Sequence, residues 1–281
     1  MTDKLPHKLP KLTQPLRSLE AWTAYFRDAE IPILAHTAAS LEALRANEDV
    51  VDANSIGESI ASDPLMTLKV LAYSSTQRGT SVVTDCETVI AALVMMGISP
   101  FFALFGPQPT VEESLVEYGE ARIGLAETLQ RAHRGANFAL GFAVHRMDHD
   151  AAVIHTAALL HDFAEMLLWC HAPLLATQIR RAQIADVRLR SDTAQQAVLN
   201  IRLTDLQQSL MRAWHLPELL IQITDDRHIA SPNVRNVTLA LRLARHTAKG
   251  WDNQAIPDDI IDIAALLNLS QAATLQLVRA I

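Results

Sequence analysis

Residues 155–169 read HTAALLHDFAEMLLW, and the pair His161-Asp162 sits in them inside an apolar run without glycine or proline. An imidazole beside a carboxylate can grip a divalent metal ion, and such an ion can polarise a phosphate ester and turn a bound water into a nucleophile. The same pair can be a buried hydrogen-bonded couple that ties helices together, because an unpartnered polar group in a core costs about 2 kcal/mol or more. Other titratable side chains gather nearby. His145, Asp148, His149, Asp150 and His155 fall within eleven residues. His145 and His149 have the i,i+4 spacing of a helical metal pair, but 147–150 reads as a helix break, and a solvated junction is the expected role. On one continuous helix His155 and Asp162, seven apart, would share a face. No phosphate-binding loop, dinucleotide-binding glycine motif or serine nucleophile elbow is present.

The elements that must position these residues are helices. The chain has 281 residues, 49% of them hydrophobic but only 5% aromatic, and only nine are glycine. Alanine and leucine, the strongest helix formers, dominate the apolar content, and no stretch alternates as a strand does. Ile31-Pro32 predicts a helix start, Asp63-Pro64 an N-cap followed by proline at the first helical position, and Ser55/Glu58, Thr84/Glu87 and Thr110/Glu113 three capping boxes. From 110 to about 185 the pattern is nearly continuous, with breaks expected near Gly135, at 147–150 and at Pro173. Further helices are predicted over 193–199, 204–214, 217–224, 233–247 and 257–267, and from Ser270 onward. Residues 89–105 are apolar, but Gly97, Ser99 and Pro100 interrupt them short of the roughly 20 residues of a bilayer span. They are expected to form two buried core helices.

The net charge of −7 argues against a general nucleic-acid binder, which needs a basic footprint. Arg180, Arg181, Arg188 and Arg190 form a loose basic group expected to be a solvated face. Two distant cysteines, Cys86 and Cys170, fit a reducing compartment. The opening MTDKLPHKLPKLTQ has no apolar signal region. A cytoplasmic, non-membrane protein is expected.

Several motifs in order carry a resemblance. They are IGESIASDPLMTLKVLAYSS at 56–75, TVIAALVMMGISPFFALF at 88–105, AHRGANFALGFA at 132–143, AALLHDFAEMLLW at 157–169 and AWHLPELL at 213–220. Together they resemble the HDOD domain of bacterial signalling proteins, a divergent, regulatory branch of the HD metal-dependent phosphohydrolase superfamily. The resemblance implies an all-α fold, an HD-type helical bundle with an additional N-terminal helical subdomain. It places an extension at 1–19, the HDOD-like domain at 20–248 with halves meeting near 108, and a small helical tail at 249–281.

It also implies a metal-ligand set of His133, His161 and Asp162, with a final acid on the helix that follows. Here that position is Arg245, after Ala244, and a guanidinium cannot ligate a metal. Where active relatives carry HD-x-Gly-Lys the chain reads HDFAE, so Glu165 stands in place of a phosphate-facing lysine. Where cyclic-dinucleotide-cleaving relatives carry paired histidines it has Arg227-His228. Tyr73 replaces the asparagine of a Leu-Ala-Asn-Ser motif. His155 is an accessory candidate, and Trp214 is expected to plug the core. With the site degenerate in this way, Arg245 is expected to pair with Asp162 or a nearby acid in place of the ion.

The expected function is that of a non-catalytic regulator without a cofactor. It would act in trans on a signalling protein or a small-molecule ligand, with homo-oligomerisation possible. The alternative is a phosphohydrolase or phosphodiesterase for a nucleotide or cyclic dinucleotide, using Mn, Fe or Mg on His133, His161 and Asp162.

Overall fold

The computed structural model describes residues 11–76, 86–228 and 230–281, and among them no strand is formed. The helices are α1 (Leu19–Asp28), α2 (Ala35–Arg45), α3 (Ala53–Ala61), α4 (Pro64–Thr76), α5 (Val89–Met96), α6 (Ile98–Leu104), α7 (Val111–Ser114) and α8 (Gly119–His145). They continue with α9 (Ala151–Leu160), α10 (Phe163–His171), α11 (Pro173–Ala185), α12 (Ser191–Leu199), α13 (Leu203–Ala213), α14 (Glu218–Ile223), α15 (Pro232–His246), α16 (Ile256–Leu267) and α17 (Gln271–Ala280). The all-α expectation is met.

Two compact units share the chain out of sequence order: Met1–Thr128 with Asp162–Leu216, and Leu129–His161 with Pro217–Ile281. In the first unit α1 packs on α13, α3 and α4 on α5, and α10 on α4, α11 and α13. Buried tryptophans fasten it. Trp22 donates its indole N–H to the Leu199 carbonyl at 3.0 Å. Trp214 donates to the Arg27 carbonyl at 3.2 Å and lies 5.8 Å from the Phe163 ring, the expected core plug. Tyr73 packs edge-on against Phe105. In the second unit α15 packs on α9, α14 and α16, and α16 on α17. The Asn236 amide of α15 donates to the Ala139 carbonyl of α8 at 3.2 Å.

Side chains at helix starts explain several boundaries. Asp63 accepts from the Leu65 and Met66 N–H groups and also from Leu34, so one buried carboxylate starts α4 and anchors the approach to α2. Thr110 and Glu113 form the predicted capping box, although α7 lasts only four residues. Other starts differ. α2 begins at Ala35 rather than beside Pro32, because Ile33 is held in an isolated bridge to Thr110. α3 is capped by Asp52, ahead of Ser55. The Thr84 box falls outside the described residues, and α5 is capped by Thr88.

Gly97, at φ 85°, separates α5 from α6 as predicted. The two helices are only half-buried: Val89, Ala92, Leu93, Phe101 and Phe102 face inward, while Ile90, Val94, Met95 and Leu104 are exposed. Gly135 breaks nothing. α8 runs through it, and the missing side chain admits Leu241 of α15, whose Cδ2 would stand 2.6 Å from an added Cβ. Residues 151–171 are long and apolar enough to cross a membrane, but the apolar window is 72% buried within the protein, as in a core segment.

Candidate functional site

The helical hydrogen-bond pattern is interrupted between α9 and α10, and His161 and Asp162 are the two residues at that break. His155 lies on α9, before the break, and Asp162 in it. His161, 9% exposed, belongs with the second unit, and Asp162 opens the segment of the first, where its carbonyl accepts from the Glu165 and Met166 N–H groups.

His161 Nε2 lies 3.3 Å from Oδ1 of Asp226. Asp226 begins a short 3₁₀ turn, Asp226–His228, after α14. The hydroxyl of Thr238, on α15, donates to the same oxygen at 3.2 Å. Burial works to raise the Asp226 carboxyl. The His161 hydrogen bond and charge, the Thr238 hydroxyl and the Arg245 guanidinium outweigh it and hold the group below the usual carboxylate range. Arg245 itself is exposed, donates Nε to the Leu241 carbonyl at 3.3 Å, and acts on Asp226 through its charge. The acid in its field is thus one that the sequence reading did not name. It lies in ITDDRH at 223–228, just before the helix that carries Arg245.

Arg227 and His228 serve a different carboxylate. Arg227 holds Asp225 through Nε at 2.8 Å and a terminal nitrogen at 2.7 Å, and His228 Nδ1 is 3.4 Å from Asp225 Oδ2. The Arg227 hydrogen bond leads the causes that lower the Asp225 carboxyl. His133, on α8, and His155, on α9, are close enough to interact. Burial first, then the charge of His133, pushes the His155 imidazole down. Glu165 is a structural residue of the first unit, accepting from the Thr128 hydroxyl at 2.8 Å and the Trp169 indole at 3.3 Å. His145 ends α8 and His149 follows the left-handed Met147, so the two do not share a helix. Arg180 and Arg181 pair with Glu127 and Glu120 on an exposed face.

A metal would need three or more converging donors. Among the described residues no three His, Cys, Asp or Glu side chains converge to hold one ion. His161 Nε2 faces a carboxylate that Thr238 already engages, with a fixed positive charge nearby. That arrangement differs from the open His and Asp set that the resemblance implies.

The HDOD domain profile matches residues 31–230, most of the chain. The chain belongs to the HDOD family. Solved structures share this HDOD fold. The MmoQ response regulator of Methylococcus capsulatus is 17% identical, with 90% of this chain and 99% of that one covered at a TM-score of 0.67. The virulence factor cj0248 of Campylobacter jejuni is 16% identical, with 93% and 97% covered at 0.62. No curated protein matches this HDOD sequence.

Proposed function

We propose that this HDOD protein is a signal-transduction regulator that acts by binding, without catalysis, a signalling protein or a small ligand in trans. The observation that carries the reading is the His161–Asp226 contact, braced by Thr238 and set in the field of Arg245. A metal hydrolase needs the imidazole lone pair and the carboxylate free to face an ion. Here they face each other, and the guanidinium neutralises part of the charge that would attract a cation. Both cysteines are buried and free, which supports a reducing, cytoplasmic setting.

The test is hydrolysis of bis(p-nitrophenyl) phosphate and of cyclic dinucleotides by the purified chain with Mn²⁺, Fe²⁺ or Mg²⁺. The reading expects rates equal to those of the His161→Ala variant. Turnover that His161→Ala abolishes would establish the phosphohydrolase alternative instead.

A further inference from the structure

The first unit holds a cavity of about 210 Å³ between α2 and the loop that follows α6. On one side stand Ala38, Leu41, Glu42 and Arg45, whose i, i+3, i+4, i+7 spacing puts them on one face of α2. On the other stand Phe105, Gly106, Pro107 and Gln108. Leu41 and Phe105 are buried, and with Ala38 and Pro107 they make the lining largely apolar. The loop wall is already fixed. The Phe105 ring centroid lies 5.1 Å from that of Phe101 and 5.6 Å from that of Tyr73. Gln108 donates Nε2 to the Gly106 carbonyl at 3.1 Å and accepts on Oε1 from Lys69, which also donates to the Ile31 carbonyl at 3.0 Å. A wall held in this way costs little to order when a ligand binds.

The mouth carries one guanidinium. Arg45 donates a terminal nitrogen to Glu42 at 2.7 Å, the one hydrogen bond its side chain makes among the described residues. An added Cβ at Gly106 would stand 3.7 Å from the other terminal nitrogen, so the guanidinium lies over the loop beside the cavity. An exposed i,i+3 pair holds its members weakly, and Glu42, at 56% against 39%, is the more exposed of the two. Its carboxylate can swing to solvent, and the planar fork of Arg45 can then take an incoming carboxylate through two parallel hydrogen bonds. Size sets the rest of the ligand. An apolar cavity of about 150 Å³ takes up benzene, so this one has room for a ring and one substituent.

We propose that this cavity binds a small monocarboxylate with a compact apolar body, the body between Leu41 and Phe105 and the carboxylate on Arg45. An apolar slot with a single charged group at its mouth orients such a ligand, one end buried and the other held. The inference deepens the small-ligand side of the binding reading and rests on it. Its readout involves neither metal nor turnover. Hydrolysis that depends on His161 would overturn the non-catalytic reading and leave the cavity as it is, and failure of the cavity would leave the absence of hydrolysis untouched.

The experiment titrates the full chain into 4-fluorobenzoate and, separately, into its uncharged counterpart 4-fluorobenzyl alcohol, followed by ¹⁹F NMR. Arg45→Gln removes the charge at an exposed position. Ala38→Phe fills the cavity from a half-buried position of α2, and far-UV circular dichroism checks that both variants keep the helical fold. The expected results are saturable binding of 4-fluorobenzoate with a Kd of about 1 mM or tighter, and binding of the alcohol at least tenfold weaker. Arg45→Gln should weaken the carboxylate at least tenfold and leave the alcohol unchanged, a split that a merely structural arginine would not give. Ala38→Phe should abolish binding of both. No saturable binding of 4-fluorobenzoate up to about 10 mM, equal affinity for the two probes, a carboxylate affinity indifferent to Arg45→Gln, or binding that survives Ala38→Phe would each overturn the proposal.

Discussion

Replacing Gly124 with alanine puts a methyl group where the Trp169 ring already is. An added Cβ would stand 2.4 Å from both Cη2 and Cζ2 of that ring and 2.9 Å from Cε2. Ordinary carbon contacts begin near 3.5 Å, so the ring must retreat by about 1 Å. It has little room to do so. Trp169 is buried, and its indole N–H is held by the Thr128 hydroxyl at 3.2 Å and by Glu165 at 3.3 Å.

Overpacking of this kind costs roughly 1–3 kcal/mol, and loosening the indole hydrogen bonds adds about 1 kcal/mol. The better helix propensity of alanine returns about 1 kcal/mol. The net loss is about 1–3 kcal/mol, which at about 2–3 °C per kcal/mol lowers the thermal midpoint by about 2–9 °C. Gly119→Ala, at the first residue of the same helix with no atom within 4 Å, is the control and should leave the midpoint unchanged or slightly raised. The assay is thermal melting followed by far-UV circular dichroism, with urea midpoints alongside. A Gly124→Ala midpoint at or above that of the wild type would refute the account of this contact and of Glu165 as a residue that holds the tryptophan.

His171 makes stability depend on pH. Burial beside Tyr25 and Phe26, aided by the charge of Lys11, pushes its imidazole down to about 4. The unfolded chain therefore takes up a proton near pH 6.5 that the folded chain refuses until near pH 4. The stability is present in full above 6.5 and is lost as pH falls through that window, about 2 kcal/mol of it by pH 5. Urea titrations at pH 7 and pH 5 should show the loss, and His171→Gln should flatten it; an unchanged slope in the variant contradicts the assignment. Cys170 is fully buried and its thiol is pushed up to about 12, by burial foremost. Iodoacetamide at pH 8 should leave its peptide unmodified in the native protein and modify it in urea, and equal labelling in both states would contradict this burial.

Much of the helical order is legible from local chemistry. Asp63-Pro64, the Thr110/Glu113 box, Gly97, Pro173 and Ser270 mark boundaries because caps, prolines and left-handed glycines act within a turn of where they sit. Residues that act across the chain are less visible. Gly135 reads as a helix break from its propensity, whereas its role is to let Leu241, more than a hundred positions away, approach α8. Glu165 looks like a substituted phosphate contact, but its partners Thr128 and Trp169 are set by packing. The candidate site shows both sides of this. His155 and His161 are visible by type and position, and His133 through the family resemblance. Asp226 is not, because it lies in a 3₁₀ turn ahead of α15 rather than on the helix, and only folding brings it to His161.

His161, facing Asp226, is expected to hold no metal ion. The most direct test is elemental analysis of protein purified without chelator and again after incubation with Mn²⁺ and Fe²⁺, for the wild type and for His161→Ala and Asp226→Asn. Metal at background is expected in all three. A stoichiometric ion in the wild type that either substitution removes would contradict it.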